Sequence, residues 1–99
     1  MQLTDNTIFI TGGASGIGRA LAEQFHQRGN RVIIGGRRKA LLEEVTAANP
    51  GMRWVELDIT SPDSIRAAAE HLKREYPGLN VLVNNAGIMP FDDPAGAID

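Results

Sequence analysis

Apolar residues along the chain fall into short dense runs separated by stretches with helical spacing. Thr7-Ile8-Phe9-Ile10 is a β-branched and aromatic run closed by Gly12-Gly13, the pattern of a strand buried on both faces that ends at Thr11 and enters a tight turn. Ile17, Leu21 and Phe25 then recur every four residues, with Ala20 and Ala22 between them, and Gly29-Asn30 supplies a stop. Arg31-Val32-Ile33-Ile34 predicts a second buried strand, and Leu41, Leu42, Val45 and Ala48 a second helix broken by Asn49-Pro50-Gly51. Trp54-Val55-Glu56-Leu57 is a third strand. Ser61-Pro62-Asp63 opens a third helix with a cap, a proline at the first position and an acid in the first turn; its inner stripe is Ile65, Ala69, Leu72 and Tyr76. After Pro77-Gly78, Val81-Leu82-Val83 forms a fourth apolar run leading into Asn84-Asn85-Ala86-Gly87.

Strand and helix alternate through four strands and three helices. Each helix is a crossover long enough to return the chain parallel to the preceding strand, and such crossovers are right-handed. The fold class is therefore α/β, a doubly wound parallel sheet of Rossmann type, in which these four strands and three helices make an incomplete set. Residues 1–89 read as one domain portion, and 90–99, with two prolines and no clear period, as a loop or frayed end.

Composition narrows the function. The 99 residues are 42% hydrophobic and 22% charged, with ten Lys and Arg against twelve Asp and Glu and no long run of either sign. That balance speaks against nucleic acid as a partner. The absence of cysteine excludes thiolate chemistry and Cys-containing metal sites; no metal site is expected. No apolar run is long enough for a membrane, and with no basic leader the expected compartment is the cytoplasm.

Thr11-Gly12-Gly13-Ala14-Ser15-Gly16-Ile17-Gly18 lies between the first strand and the first helix. At such a junction the helix offers unpaired N–H groups and a partial positive charge, and glycines let the backbone approach a pyrophosphate. Gly12 would make the turn, Gly16 the close approach and Gly18 the contact between helix and strand. The interval Gly13 to Gly18 fits a P-loop, but Arg19-Ala20 stand where Lys and Ser or Thr are needed, which excludes a kinase or ATPase. Ser15 also stands where an extended sugar-nucleotide epimerase would carry glycine.

The spacing Thr-Gly-x-x-x-Gly-x-Gly resembles the fingerprint of short-chain dehydrogenases/reductases at all four positions, Thr11, Gly12, Gly16 and Gly18. Asn84-Asn85-Ala86-Gly87 is similar to the family's second signature. The opening stretch also resembles DltE-type short-chain oxidoreductases. The resemblance covers Leu3 to about Met89. It implies that Asp58 accepts a hydrogen bond from the adenine amino group while the Ile59 backbone reads the ring edge. By the same resemblance Asn84 to Gly87, Ala86 among them, line the ribose and brace the sheet; Ser15, through its hydroxyl, and Ile17 are further cofactor-binding candidates in the glycine turn.

Arg37 and Arg38 follow the second strand, and Gly36 stands where an NAD-preferring protein carries an acid for the ribose hydroxyls. A small uncharged residue followed by guanidinium groups suits a 2′-phosphate, which favours NADP, with NAD possible. The family's chemistry is hydride transfer between nicotinamide and a carbonyl or alcohol, by a Tyr and a Lys four residues later. The single tyrosine, Tyr76, is followed by Pro77-Gly78-Leu79-Asn80, so no catalytic residue is assigned. The expectation is the cofactor-binding portion of a reductase, truncated before its active site, whose parent takes a small-molecule substrate and could be a homo-oligomer. The alternative is a stand-alone dinucleotide-binding regulatory module. His26 and His71 read as isolated residues on the outer sides of their helices, and Trp54 as core.

Overall fold

The computed structural model describes residues 5–14 and 16–85. Four strands, β1 (Thr7–Thr11), β2 (Arg31–Gly36), β3 (Arg53–Glu56) and β4 (Val81–Asn84), alternate with α1 (Gly16–Gln27), α2 (Lys39–Ala48) and α3 (Pro62–Glu75). All pairings are parallel and the strand order is β3-β2-β1-β4. The sheet is thus the α/β doubly wound arrangement that the alternation predicts. The chain starts in the middle, winds outward to β3, then crosses back to lay β4 on the other side of β1. The carboxyl ends of β1 and β4 therefore meet where the winding reverses, the place where such sheets bind ligands.

Side-chain alternation sorts the core into two layers. Ile8, Ile10, Val32 and Ile34 point to one face and pack with Ala22, Leu42 and Val45 of α1 and α2. Phe9 and Ile33 point to the other and pack with Leu57, Ala68 and Leu72 beneath α3. β1 and β2 are buried on both faces as their unbroken apolar runs imply, whereas β3 and β4 are edges and only partly covered. Leu82 is 65% exposed, because α3 does not extend over β4.

Three helical stripes differ from the periodicity. In α1 the buried positions are Gly18 and Ala22, while Ile17 is 74% exposed at the helix head. In α3 the inward alanine is Ala68; Ala69 is exposed. In α2, Leu42 and Val45 are buried but Ala48 is exposed. In α2 and α3 alanine carries too little apolar area to set the rotation, so the larger Leu42, Val45 and Leu72 fix the phase. Trp54 is only half-buried: one side packs on the α1/α2 layer and Lys39 Nζ lies 6.0 Å from its ring centroid. His26 is not on an open outer face. Its Nδ1 is buried with no hydrogen-bond partner among the described residues, while His71 sits edge-on to Tyr76.

The termini of the helices follow their sequence signals. Ser61 caps α3 by accepting from the Ser64 amide at 3.2 Å, with Pro62 following and Asp63 in the first turn. α1 ends through Gly29, whose φ of 90° lies in the left-handed region.

Candidate dinucleotide site

The site is built on the carboxyl ends of β1, β2 and β4. β1 delivers Thr11 to the rim, where its buried hydroxyl serves two strands. Thr11 Oγ1 donates to Asn84 Oδ1 at 3.0 Å and accepts from the Asn85 amide at 3.0 Å. Asn85 Nδ2 in turn donates to the Gly12 carbonyl at 3.4 Å. The end of β4 is thereby fastened to the beginning of the glycine turn. Bracing of the sheet by Asn84 is seen directly; Ser15, Ala86 and Gly87 lie outside the described residues.

Gly12 and Gly16 both adopt positive φ, 68° and 56°, so the turn between them takes a path that side chains resist. A Cβ built on Gly16 meets nothing within 4 Å. The space in front of α1's first turn is therefore open, and that turn contains no acidic side chain to compete for its amides. A diphosphate fits this cradle, and a side chain at Gly16 would stand in it.

Gly18 brings the head of α1 against the strand ends: a Cβ there would run into the Gly12 carbonyl, one residue past β1, and Asn85 Nδ2, one residue past β4. Gly18 lies in the first turn of α1, so it faces back onto the glycine turn and the end of β4. A second close approach is made by Gly13, whose absent Cβ leaves room for Ile34 of β2. Spacing alone could not separate these roles, because both glycines follow the same strand.

A cleft of about 390 Å³ continues from the turn across the ends of β2 and β3. Thr11 and Gly12 bound it on one side, Gly35 and Gly36 form its floor, and Arg37, Arg38, Ile59 and Thr60 its far wall. The Gly12 amide donates to the Gly35 carbonyl at 2.8 Å, which joins turn and floor. The structure thus brings the glycine turn, Arg37, Arg38 and Ile59 to one concavity.

Asp58 stands at the rim of this wall. Its Oδ1 accepts from the Thr60 amide at 2.9 Å and the Thr60 hydroxyl at 2.6 Å, and Arg37 Nη1 lies 3.8 Å from the same oxygen. The Thr60 hydroxyl and amide, with a lesser contribution from Arg37, hold the Asp58 carboxyl below its ordinary value. Thr60 is a site residue that the sequence does not single out, and Thr11, a fingerprint position in the sequence, gains its role here as the hydrogen-bonding link to β4. Asp-x-Thr just before a helix cap is a turn signal that could have found the first.

Comparison with known proteins decides the family. A family model described as short chain dehydrogenase matches residues 6–97. The chain belongs to the short-chain dehydrogenase family. Within it, the chain is 46% identical over 88 residues to the uncharacterized oxidoreductase DltE of Bacillus subtilis, covering 89% of this chain and 35% of that protein. It is 38% identical to carbonyl reductase [NADPH] 3 of Rattus norvegicus, covering 95% and 36%. Against the NAD-dependent glycerol dehydrogenase of Listeria innocua it is 32% identical, covering 88% and 35%. The crystal structure of a short chain dehydrogenase from Bacillus anthracis superposes with a TM-score of 0.77 at 34% identity, covering 86% of this chain and 36% of that one. The chain spans about a third of the length of these short-chain dehydrogenase relatives. The names of these relatives include an NADPH carbonyl reductase and an NAD-dependent dehydrogenase. Among the described residues, no helix is long and apolar enough to cross a membrane.

Proposed function

We propose that these residues form the NADP(H)-binding part of a short-chain oxidoreductase that moves hydride between nicotinamide and a carbonyl or alcohol substrate. The observation that carries the NADP reading is the head of α2. Arg37, Arg38 and Lys39 stand in succession there, no acid occupies the first turn, and no side chain caps the helix. Three cations at the positive end of a helix are an unfavourable arrangement, relieved among the described residues only at Arg37 by Asp58 Oδ1 at 3.8 Å. A dianionic phosphate in the adjoining cleft offsets it, and Gly36 leaves the space that a carboxylate fills in an NAD-preferring site.

The chain's own residues bind and orient. The amides of the glycine turn hold the diphosphate, Arg37 and Arg38 hold the 2′-phosphate, and Asp58 with Ile59 hold the base. The Thr11–Asn84–Asn85 linkage keeps the turn in register with the strand beside it. Hydride is what the cofactor supplies when bound.

Calorimetric titration with NADP and NAD tests the reading. NADP binds the more tightly, and Arg37→Ala costs NADP roughly tenfold or more, the worth of a charge-assisted contact, while changing NAD little. Equal losses for both dinucleotides would remove the 2′-phosphate assignment. Absence of binding by either would remove the site.

A further inference from the structure

We propose that Thr60 is a positioning residue for base recognition: it clamps one oxygen of Asp58 so that the other selects a 6-amino purine over a 6-oxo purine. The inference rests on the dinucleotide reading of the cleft and assigns a determinant of specificity within it.

An aspartate carboxylate on an exposed loop turns about its last torsion, and either oxygen can face a ligand. Here that freedom is removed by one neighbour. Both polar hydrogens of Thr60, from amide and hydroxyl, converge on Oδ1 at 2.9 and 2.6 Å, and Arg37 approaches the same atom. Among the described residues Oδ2 takes no hydrogen bond. Two donors from a single residue define the carboxylate plane as one could not.

The loop that bears the clamp is itself fixed. The Asp58 amide donates to Ser64 Oγ at 2.9 Å and the Ser61 amide to the Asp58 carbonyl at 3.0 Å, so the segment is tied to the first turn of α3. Thr60 also forms part of the cleft wall beside Ile59, which places the clamped carboxylate next to the concavity rather than on a remote surface.

The chemistry of selection follows from the acceptor. An ionised carboxylate only accepts hydrogen bonds, so Oδ2 pairs with the N–H of a 6-amino group and repels a 6-oxo group. Donation from Thr60 favours the charged form, which keeps the carboxylate from becoming a donor. A threonine that merely built the turn would affect adenine and hypoxanthine ligands alike; a positioning threonine changes their ratio.

The test is titration of the wild type, Thr60→Val and Thr60→Ser with NADP and with its hypoxanthine counterpart. The wild type prefers NADP by roughly fivefold to tenfold, one hydrogen bond to a charged group. Thr60→Val brings the ratio to about two or less, and Thr60→Ser, which keeps both donors, retains it. An unchanged ratio in Thr60→Val, or an equal loss in Thr60→Ser, overturns the inference while leaving the dinucleotide reading intact. Failure of the wild type to bind either ligand overturns both. Should Thr60→Val not fold, an NADP-bound crystal structure of the wild type decides: Thr60 Oγ1 stays about 2.6–3 Å from Oδ1 with Oδ2 on the purine amino group, or the inference falls.

Discussion

Thr11 illustrates how a single side chain can join parts of the chain that lie far apart in sequence. Its hydroxyl donates to Asn84 and accepts from Asn85, so the turn after β1 and the end of β4 share one polar atom. Gly18 packs against the same junction, and its substitution is the sharpest local test. In Gly18→Ala the added methyl collides with the Gly12 carbonyl and Asn85, a backbone contact that cannot rotate away. Overpacking of this kind costs about 1–3 kcal/mol, read as a lower urea midpoint, and dinucleotide affinity falls with it. Glu23 gives a pH dependence. Its carboxyl is held low, first by the hydrogen bond from Asn49 Nδ2 at 2.9 Å and then by Arg19. A depressed acid adds stability above its unfolded value, and that increment disappears as pH falls through the folded value. Glu23→Gln is therefore expected to lower the melting temperature slightly at neutral pH and to flatten the acid limb, the two profiles converging once pH falls below the folded value of Glu23. At this scale the sequence was legible where backbone geometry demands a residue type, as at Gly12 and Gly16. It was silent on the Arg37–Asp58 and Thr60–Asp58 contacts, since side-chain pairing between loops depends on the distances the finished sheet sets.

The elements were legible for the same reason that they are stable. Apolar runs in β1 and β2, the Gly29 stop of α1 and the Ser61-Pro62-Asp63 opening of α3 all stand where the periodicity puts them. What escaped was rotation and cover. Ala68 rather than Ala69 turns inward, and Ile17 belongs to the exposed helix head rather than to a buried stripe. β4 is as apolar as β1, yet it and β3 are edge strands, half covered because nothing among the described residues lies beyond them. The cap of α3 offers a clean check. Ser61→Ala removes the acceptor for the Ser64 amide and is expected to cost about 1 kcal/mol, measured by denaturant unfolding. Ser61→Asp should restore most of it, since a carboxylate at that position also accepts and suits the helix dipole.

For the whole molecule, two apolar layers enclose a four-stranded sheet, but the enclosure is uneven. On the α3 side a trough of about 580 Å³ runs past Phe9, Ile65, Leu72, Tyr76 and Leu82. Exposed apolar surface of that extent attracts hydrophobic dyes. The 99-residue chain is expected to enhance anilinonaphthalene sulfonate fluorescence in its native state, and Leu82→Lys to reduce that signal without lowering secondary structure. Persistence of the full signal in Leu82→Lys would place the dye elsewhere.

Because β1 is synthesised first yet ends up sandwiched, its two neighbours arrive at different times. β2 is only one helix away and can dock early, whereas β4 pairs Ile8 with Val81 and Thr11 with Asn84 across most of the sequence. Closing so large a loop is the slow, entropy-limited step of such a topology. The Thr11–Asn84–Asn85 junction of the candidate site is thereby expected to form last, and a dinucleotide added to refolding protein to report the final kinetic phase alone.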